Sequence, residues 1–399
     1  MPISALRGTT GSPTPEHHDR PRLRVLVADD SGLMRRMITA ILEAKGDLQV
    51  IATARDGAEA IELAGQLRPD VIALDVNMPR VDGLRAVEVI MGRHPIPIVM
   101  ISSYTQRGGK TAAQALASGA VEIVEKPSRV GVCLDLDAQA DEIRAKVRAA
   151  ARVRVVRTAS FGMTIRRPVP EPCPAPATVV ARPARSTADG VPIIAIGSST
   201  GGPAALAEML PLLPSGFRGC LLIAQHMPPG YTQDLAHCLN QHTALTVHEA
   251  RHGDPVRPGV AYIAPGGCHM VLAGERVQLH DGPRMNMFRP SVDVLFESLL
   301  KIPDRLLAVL LSGMGDDGVR AMKQLRAAGA ATVVQDEASS VVWGMPGSAV
   351  HAGCATLQLP PARLAEYLCT AVGVDATRDS ALSPPAIRRN VRPAPTQPA

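Results

Sequence analysis

Residues 193–202, Ile-Ile-Ala-Ile-Gly-Ser-Ser-Thr-Gly-Gly, decide how the second half of this chain is interpreted. The apolar start indicates a buried strand, and the glycines indicate a sharp turn into a helix. Residues 197–201 fit the pattern G-x-S-x-G, in which such a turn presents a nucleophilic serine hydroxyl. Ser199 is therefore a candidate nucleophile, although a serine in such a turn can also simply cap the helix.

Two further apolar segments end in chemically useful side chains. Residues 221–225 lead into His226, and residues 307–311 lead into Gly-Met-Gly-Asp-Asp at 313–317. One crossover helix separates Ser199 from His226, so adjacent parallel strands would bring the two within reach for general-base work. Asp317 is the candidate orienting carboxylate, with Asp316 as a competitor and helix capping as the alternative. A serine, a histidine and an aspartate at three strand ends favour an acyl-transfer enzyme.

The composition restricts the class of protein. The chain has 399 residues, 46% hydrophobic but only 2% aromatic, which favours layered α/β packing in two or three domains. The net charge of +5 forms no basic stripe, so we expect no nucleic-acid partner. Seven scattered cysteines without C-x-x-C predict neither a disulfide framework nor a zinc site. Neither a signal peptide nor a membrane-length apolar stretch is visible, so we expect a cytoplasmic protein with no direct membrane insertion.

The pattern along the chain predicts two α/β domains. In the first, strands at 23–28, 49–53, 71–74, 98–101 and 122–124 alternate with helices, for example at 31–44 and 58–67, which predicts a doubly wound parallel sheet. The second contains helices at 203–213 and 319–328. The predicted divisions are a disordered tail at 1–21, a domain at 22–150, a Pro/Arg-rich linker at 151–190, a domain at 191–375 and a disordered tail at 376–399.

Charged side chains follow the strands of the first domain. Asp29 and Asp30 end the first strand and Asp75 ends the third, while Ser102 and Lys126 follow the fourth and fifth. The carboxyl ends of the strands meet at one edge of such a sheet. Three carboxylates there suit Mg²⁺, and the ammonium and hydroxyl would stabilise a phosphoryl group on one carboxylate. The alternative is that the acidic pair merely caps a helix.

This assembly resembles the receiver domain of two-component response regulators, which have a flavodoxin-like fold. The resemblance implies that Asp75 is phosphorylated by a histidine kinase and that Ser102 is the switch hydroxyl, with Lys126 as the lysine of that pattern. It assigns Mg²⁺ binding to Asp30, Asp75 and the backbone carbonyl of Asn77, with Asp29 in support.

The second domain resembles the catalytic domain of the chemotaxis protein-glutamate methylesterase family, in which it follows a receiver domain. The resemblance implies a Rossmann-like α/β fold without a cofactor, demethylation of glutamate methyl esters on chemoreceptors, deamidation of receptor glutamines, and activation by phosphorylation. It assigns the nucleophile to Ser199, the base to His226 and the orienting carboxylate to Asp317, with Thr200 beside the histidine and the Met314 N–H in the oxyanion hole. The matching segments are 196–202, 225–230, 261–266, 289–296 and 313–318.

Two positions depart from the family pattern. Ser198 stands where alanine is usual and adds a second hydroxyl beside the nucleophile. Asp316 stands where asparagine is usual, which leaves the choice between Asp316 and Asp317 open. The competing interpretations are a non-catalytic adaptor, a receiver-linked transcription regulator and a triad hydrolase for small esters. Because the implied substrate is a surface side chain, we expect a shallow, open site.

Overall fold

The computed structural model of the protein describes residues 22–102, 115, 118–127, 136–153, 155–156, 164–165 and 190–374. The tails predicted to be disordered and most of the predicted linker lie outside these residues. The described residues form two parallel sheets flanked by helices, as the alternating pattern predicted. None of their helices has the length and apolarity needed to cross a bilayer.

The N-terminal sheet has the strand order β2-β1-β3-β4-β5, with every pair parallel. Its strands are β1 Leu23–Ala28, β2 Leu48–Ala54, β3 Val71–Leu74, β4 Ile98–Ser102 and β5 Glu122–Glu125. The described helices of this domain are α1 Gly32–Glu43, α2 Gly57–Leu67, α3 Gly83–Arg93 and α4 Leu136–Ala150. Strands β3 and β4 are buried at every position, because helices cover both faces of a doubly wound sheet.

The first helix is capped by a serine and not by the acidic pair before it. Ser31 is the N-cap of α1, and its Oγ accepts a hydrogen bond from the Met34 N–H at 3.3 Å. The Asp29 carboxylate accepts instead from the Ser31 N–H at 2.9 Å. The alternative that Asp29 and Asp30 merely cap the helix is therefore wrong, and both carboxylates remain at the sheet edge.

The C-terminal sheet has the order β10-β11-β9-β8-β14-β15-β16, again with parallel pairs throughout. Its strands are β8 Ile193–Ser198, β9 Cys220–Gln225, β10 Thr246–Glu249, β11 Val260–Ile263, β14 Leu306–Leu310, β15 Ala331–Gln335 and β16 Leu357–Leu359. The antiparallel hairpin β12 His269–Ala273 and β13 Arg276–His280 lies outside it. The helices are α5 Gly202–Met209, α6 Tyr231–Asn240, α7 Val292–Ser298, α8 Val319–Ala327, α9 Gly344–His351 and α10 Pro361–Ala371.

Both sheets contain a topological switch point. From β1 the chain builds outward first to β2 and then, on the other side, to β3. From β8 it moves first to β9 and later returns to β14 on the opposite side. The loops that follow these central strands diverge and leave a crevice at the carboxyl edge, which is where open α/β sheets bind ligands.

Two sequence expectations need correction. The helix expected at 203–213 ends at Met209 and continues only as a 3₁₀ turn, Leu210–Leu212, because Pro211 has no N–H for another α-helical hydrogen bond. The linker begins with a short antiparallel strand pair, β6 Val155–Val156 and β7 Thr164–Ile165, where no regular structure was expected. All four of these residues are β-branched, which favours strand conformation.

Candidate active site

The turn after β8 holds Ser199 against a neighbouring loop. The Ser199 N–H donates to the Ser312 carbonyl at 3.0 Å, and the Gly202 N–H donates to the Ser199 carbonyl at 2.8 Å. Gly201 has a φ of 82°, and a Cβ there would lie 2.4 Å from the Cβ of Val341. Only glycine therefore fits that position of the turn. A Cβ on Gly313 would lie 3.0 Å from the Ser199 Cβ, so the loop after β14 passes directly against Ser199.

His226 follows the strand beside that of Ser199, as the sequence predicted. Ser198 pairs with Gln225 in the parallel register, and the His226 N–H donates to the Ser198 carbonyl at 2.9 Å. The His226 Nε2 lies 2.8 Å from the Asp317 Oδ2. A carboxylate accepts, so Nε2 carries a proton, and in the neutral ring Nδ1 keeps its lone pair. That Nδ1 is buried and has no hydrogen-bond partner among the described residues. It is therefore available to accept a proton from a reacting group.

Asp317 is completely buried and accepts several hydrogen bonds besides that of His226. The Val292 N–H donates at 2.7 Å, the Ser291 hydroxyl at 2.8 Å and the Asn286 side-chain amide at 3.2 Å. Burial by itself would raise the pKa of Asp317, but the hydrogen bond and charge of His226, with the Val292 and Ser291 donors, lower it overall. The carboxylate is therefore kept ionised.

The neighbouring acid is not part of this arrangement. Asp316 is exposed, and of the two acids it is Asp317 that lies within hydrogen-bond distance of the imidazole. Helix α8 has Gly318 at its N-cap with no side-chain cap bond, so Asp317 does not serve as a cap. The geometry thus favours Asp317 over Asp316 and over the capping alternative.

The hydroxyl of Ser198 makes a structural hydrogen bond with a residue of the neighbouring strand. Its Oγ donates to the Gln225 Oε1 at 2.6 Å, and the Gln225 amide donates to the Ser199 carbonyl at 2.9 Å. All three residues are buried. The second hydroxyl beside the nucleophile therefore braces the two strands.

Two supporting residues were predicted near the reacting groups. The Thr200 Oγ1 is buried, and in the described part of the chain it has no hydrogen-bond partner. Met314 follows Gly313 in the loop that passes against Ser199. Among the described residues no backbone carbonyl accepts a hydrogen bond from the Met314 N–H.

Sequence reasoning assigned no role to the segment just before α7. Phe288 stacks on the His226 ring with centroids 3.8 Å apart and planes inclined by 6°. The Asn286 amide and Ser291 hydroxyl both reach Asp317. The matching segment 289–296 was a usable signal for Ser291, but nothing in the spacing indicates that Asn286 or Phe288 folds back over the triad.

The acidic groups of the first domain also converge. Asp29, Asp30 and Asp75 each offer an oxygen within 4.8 Å of the others. The Lys126 Nζ lies 2.7 Å from the Asp29 carboxylate and 2.8 Å from that of Asp75. The Asp75 Oδ1 is buried without a hydrogen-bond partner among the described residues. An unpaired carboxylate oxygen beside two further carboxylates fits a hard divalent cation such as Mg²⁺.

Burial affects the charges of this pocket strongly. It raises the pKa of Asp75, and the opposing contact with Lys126 does not fully compensate. For Lys126, burial alone would lower the pKa, but the Asp29 and Asp75 carboxylates together raise it. The pocket therefore holds the Lys126 ammonium group among carboxylates whose negative charge it only partly neutralises.

The two sites lie on facing parts of the domains. The Tyr231 hydroxyl, at the start of α6, is 3.5 Å from the backbone carbonyl of Ser102. Ser199 and His226 are only 2% and 4% exposed. The expectation of a shallow, open site is thus not met in this conformation, because the catalytic groups are covered.

Comparisons with known proteins agree for both domains. Residues 25–135 match the family model of the response regulator receiver domain, and residues 194–368 match that of the CheB methylesterase. The crystal structure of the Thermotoga maritima CheB methylesterase catalytic domain has 37% sequence identity and a TM-score of 0.44, and the match covers 45% of this chain and 98% of that chain.

Curated relatives match almost from end to end. The protein-glutamate methylesterase/protein-glutamine glutaminase of Symbiobacterium thermophilum is 44% identical over 356 residues, 88% of this chain and 97% of that protein. The second such enzyme of Pseudomonas aeruginosa is 44% identical over 351 residues, 87% of this chain and 96% of that protein. With a receiver domain, a methylesterase domain and this degree of identity, the chain belongs to the protein-glutamate methylesterase/protein-glutamine glutaminase family.

Proposed function

We propose that this protein hydrolyses glutamate methyl esters on chemoreceptors, and deamidates receptor glutamines, with a Ser199-His226-Asp317 triad that phosphorylation of Asp75 uncovers. The observation that carries the proposal is the 2.8 Å bond between His226 Nε2 and Asp317 Oδ2 beside the Ser199 turn. It leaves a basic Nδ1 at the sheet edge where Ser199 also lies, and a serine next to an oriented imidazole is the arrangement for acyl transfer.

The first half of the reaction forms an acyl-enzyme. As the Ser199 oxygen bonds to the γ-carbonyl carbon of the ester, its proton passes to His226 Nδ1. The Met314 N–H stabilises the resulting oxyanion, for which the dipole at the start of α5 is also favourable. When the carbon–methoxy bond breaks, His226 returns the proton and methanol leaves. Asp317 stays ionised throughout and stabilises the imidazolium.

The second half of the reaction restores the enzyme. Water gives a proton to His226 Nδ1 and bonds to the acyl carbon; the bond to Ser199 then breaks, and the serine oxygen recovers the proton. The product is a glutamate side chain. With glutamine as substrate the same steps apply, except that the carbon–nitrogen bond breaks and ammonia leaves.

The receiver pocket supports a phosphorylation switch. An Asp75 oxygen would accept the phosphoryl group from phosphohistidine of a kinase as the phosphorus–nitrogen bond breaks. Asp30, Asp75 and the Asn77 carbonyl would hold Mg²⁺, with Asp29 in support, and the ion would neutralise charge on the phosphoryl oxygens. Lys126 and Ser102 would contact the same oxygens. A kinase donor and a receptor's signalling region both fit a cytoplasmic enzyme.

The burial of the triad supports the proposal that this switch controls access of the substrate to Ser199. Tyr231 belongs to the helix that follows His226 by a few residues, and its hydroxyl faces the carbonyl of Ser102. Movement of Ser102 toward a phosphoryl group would weaken this contact and shift the domain interface toward an open form. The predicted linker would keep the separated receiver nearby at high effective concentration.

The nucleophile is tested by methanol release from methylated receptor, with a small phosphodonor and Mg²⁺ present. Ser199→Ala is expected to abolish release, because alanine cannot form the acyl-enzyme. Ser339→Ala, a change at another hydroxyl of the same domain, is the matched control and should retain activity. Methanol release by the Ser199→Ala protein at the wild-type rate would refute the assignment.

The switch is tested in the same assay. Asp75→Asn is expected to keep the low basal rate but to lose stimulation by the phosphodonor, whereas Asp82→Asn, which preserves a good helix cap, should still respond. Stimulation of the Asp75→Asn protein would show that another residue accepts the phosphoryl group.

The competing functions predict different results. A non-catalytic adaptor would not react with a serine-directed fluorophosphonate, and a transcription regulator would bind DNA specifically. A small-ester hydrolase would prefer a model ester to receptor.

A further inference from the structure

We propose that His269 is a positioning residue for the triad: its imidazole fastens both ends of a strap, residues 283–291, that holds His226 and Asp317 in their reactive geometry. The proposal rests on the triad assignment above and extends it to a residue outside the strand ends. His269 begins β12, in the hairpin outside the main sheet, and is 1% exposed.

The imidazole of His269 contacts the first and last residues of the strap. Its Nε2 is 2.9 Å from the Pro283 carbonyl, and its Nδ1 is 3.2 Å from the Ser291 backbone nitrogen. A carbonyl only accepts, and a backbone N–H only donates. The ring must therefore be neutral, with its proton on Nε2, to satisfy both partners at once.

The strap between these ends touches both partners of Ser199. Phe288 lies flat on the His226 ring, with centroids 3.8 Å apart. The Asn286 amide bridges two buried carboxylates, at 3.2 Å from Asp317 and 3.1 Å from Asp293. At the end of the strap the Ser291 hydroxyl donates to Asp317 at 2.8 Å. A shift of the strap would thus move the base and the orienting acid together.

The tip of the strap is a tight turn that needs support. Met285 and Phe288 exchange two backbone hydrogen bonds, at 3.1 and 2.8 Å, around Asn286 and Met287. These two central residues have φ values of 51° and 71°. Asparagine tolerates the left-handed region, but methionine is strained there, and such strain persists only where surrounding contacts hold the backbone. The His269 clamp is one such contact.

The charges around His269 favour the neutral ring. Burial lowers its pKa below the ordinary value, and the neighbouring His280 and Arg289 act in the same direction. The hydrogen bond to the Pro283 carbonyl and the charge of Asp317 oppose the shift but do not cancel it. The clamp is therefore intact at neutral pH.

The experiment measures the rate at which a fluorophosphonate labels Ser199 in the full chain with phosphodonor and Mg²⁺. His269→Leu cannot make either bond and is expected to slow labelling about 10- to 100-fold, because small displacements of reacting groups are costly. His269→Gln offers an acceptor and a donor at similar separation and should recover most of the rate. His248→Leu, the same change on the edge strand β10, is the matched control and should label normally.

Receptor kinetics then separate positioning from folding. His269→Leu should lower kcat for methanol release and leave KM nearly unchanged, with the Gln variant again close to wild type. Equal losses in the Leu and Gln variants, or wild-type labelling by a folded Leu variant, would overturn the proposal. Because labelling needs no receptor, an enzyme that labels but releases no methanol would refute the proposed function and leave the clamp testable.

Two measurements do not depend on the folding of the Leu variant. Nitrogen NMR of histidine-labelled wild-type protein at pH 7 should show His269 neutral with its proton on Nε2; a charged ring or the other tautomer would refute the clamp. Asn286→Gly keeps a residue that accepts the left-handed turn but removes the amide between the carboxylates. It should slow labelling, and an unchanged rate would show that the strap does not position the triad.

Discussion

Asp75 and Asp317 are both buried aspartates at the carboxyl edge of a parallel sheet, yet their surroundings shift their pKa values in opposite directions. For Asp75 burial dominates and raises the pKa, since Lys126 compensates only partly. For Asp317 the His226, Val292 and Ser291 donors outweigh burial and lower it. The comparison shows that the same location in the same kind of fold can hold an incompletely satisfied acid or a fully satisfied one.

The difference matches the chemistry that we propose for each acid. A phosphoacceptor needs an oxygen free to form a bond, and the Asp75 Oδ1 has no hydrogen-bond partner among the described residues. An orienting acid must keep its charge and its position, and donors surround Asp317. Incomplete hydrogen bonding at one edge and complete hydrogen bonding at the other are thus suited to their roles.

The largest effect is expected for substitution of Asp317, the acid whose hydrogen bonds are complete. Asp317→Asn replaces the acceptor facing His226 and favours the wrong tautomer, so kcat for methanol release should fall by about 10⁴-fold with KM little changed. Asp316→Asn, one residue earlier and exposed, is the control and should remain within about twofold of wild type. If the two variants lost activity equally, the comparison would rest on the wrong acid.

A smaller effect, a gain and not a loss, is expected for substitution of Asp75, the acid with incomplete hydrogen bonding. Without Mg²⁺, Asp75→Asn removes a poorly compensated buried charge and should raise the melting temperature at neutral pH. A gain of about 1 kcal/mol would shift the Tm of a domain of this size by about 3–5 °C. Mg²⁺ should stabilise the wild type but not the variant, because binding to the folded state alone raises stability.

The pH dependence of the stability of Asp75→Asn and Asp317→Asn tests the direction of each pKa shift. A raised native pKa means that stability is lost as the pH rises from the unfolded value through the native value, so the Asp75→Asn gain should shrink on acidification. A lowered native pKa means that stability is lost as the pH falls, so the Asp317→Asn loss should also shrink. Calorimetry above the ordinary aspartate pKa of 3.8 measures the Asp75→Asn change, and calorimetry below that value measures the Asp317→Asn change. An Asp75→Asn gain that grew toward low pH would contradict the assigned direction.

The smallest effect is expected at Ser198. Ser198→Ala removes the hydrogen bond to Gln225, a contribution of about 1 kcal/mol to stability, and leaves the Ser199 turn in place. The melting temperature should fall by a few degrees while methanol release stays within about threefold of wild type. Loss of activity comparable to that of Ser199→Ala would mean that the second hydroxyl takes part in the reaction.

Much of both sites was predictable because strand ends are visible in the sequence. Buried strands are continuous apolar runs, so the residues that follow them, such as Ser199, His226 and Asp75, can be placed at a sheet edge before any coordinates exist. The helix that stops at Met209 could also have been predicted from Pro211. The strand pair β6 and β7 was missed because two-residue strands leave no period to detect.

The sequence by itself determined the two parallel sheets, the switch-point strands and the candidate Ser, His and Asp side chains, because apolar periodicity and glycine-rich turns are local properties. Only the tertiary structure decided that Asp317 and not Asp316 faces the imidazole, that Ser198 turns toward Gln225, and that His269 and the strap at 283–291 close over the triad. Those outcomes depend on hydrogen bonds between residues far apart in the chain, whose partners are selected only once the layers pack and exclude water.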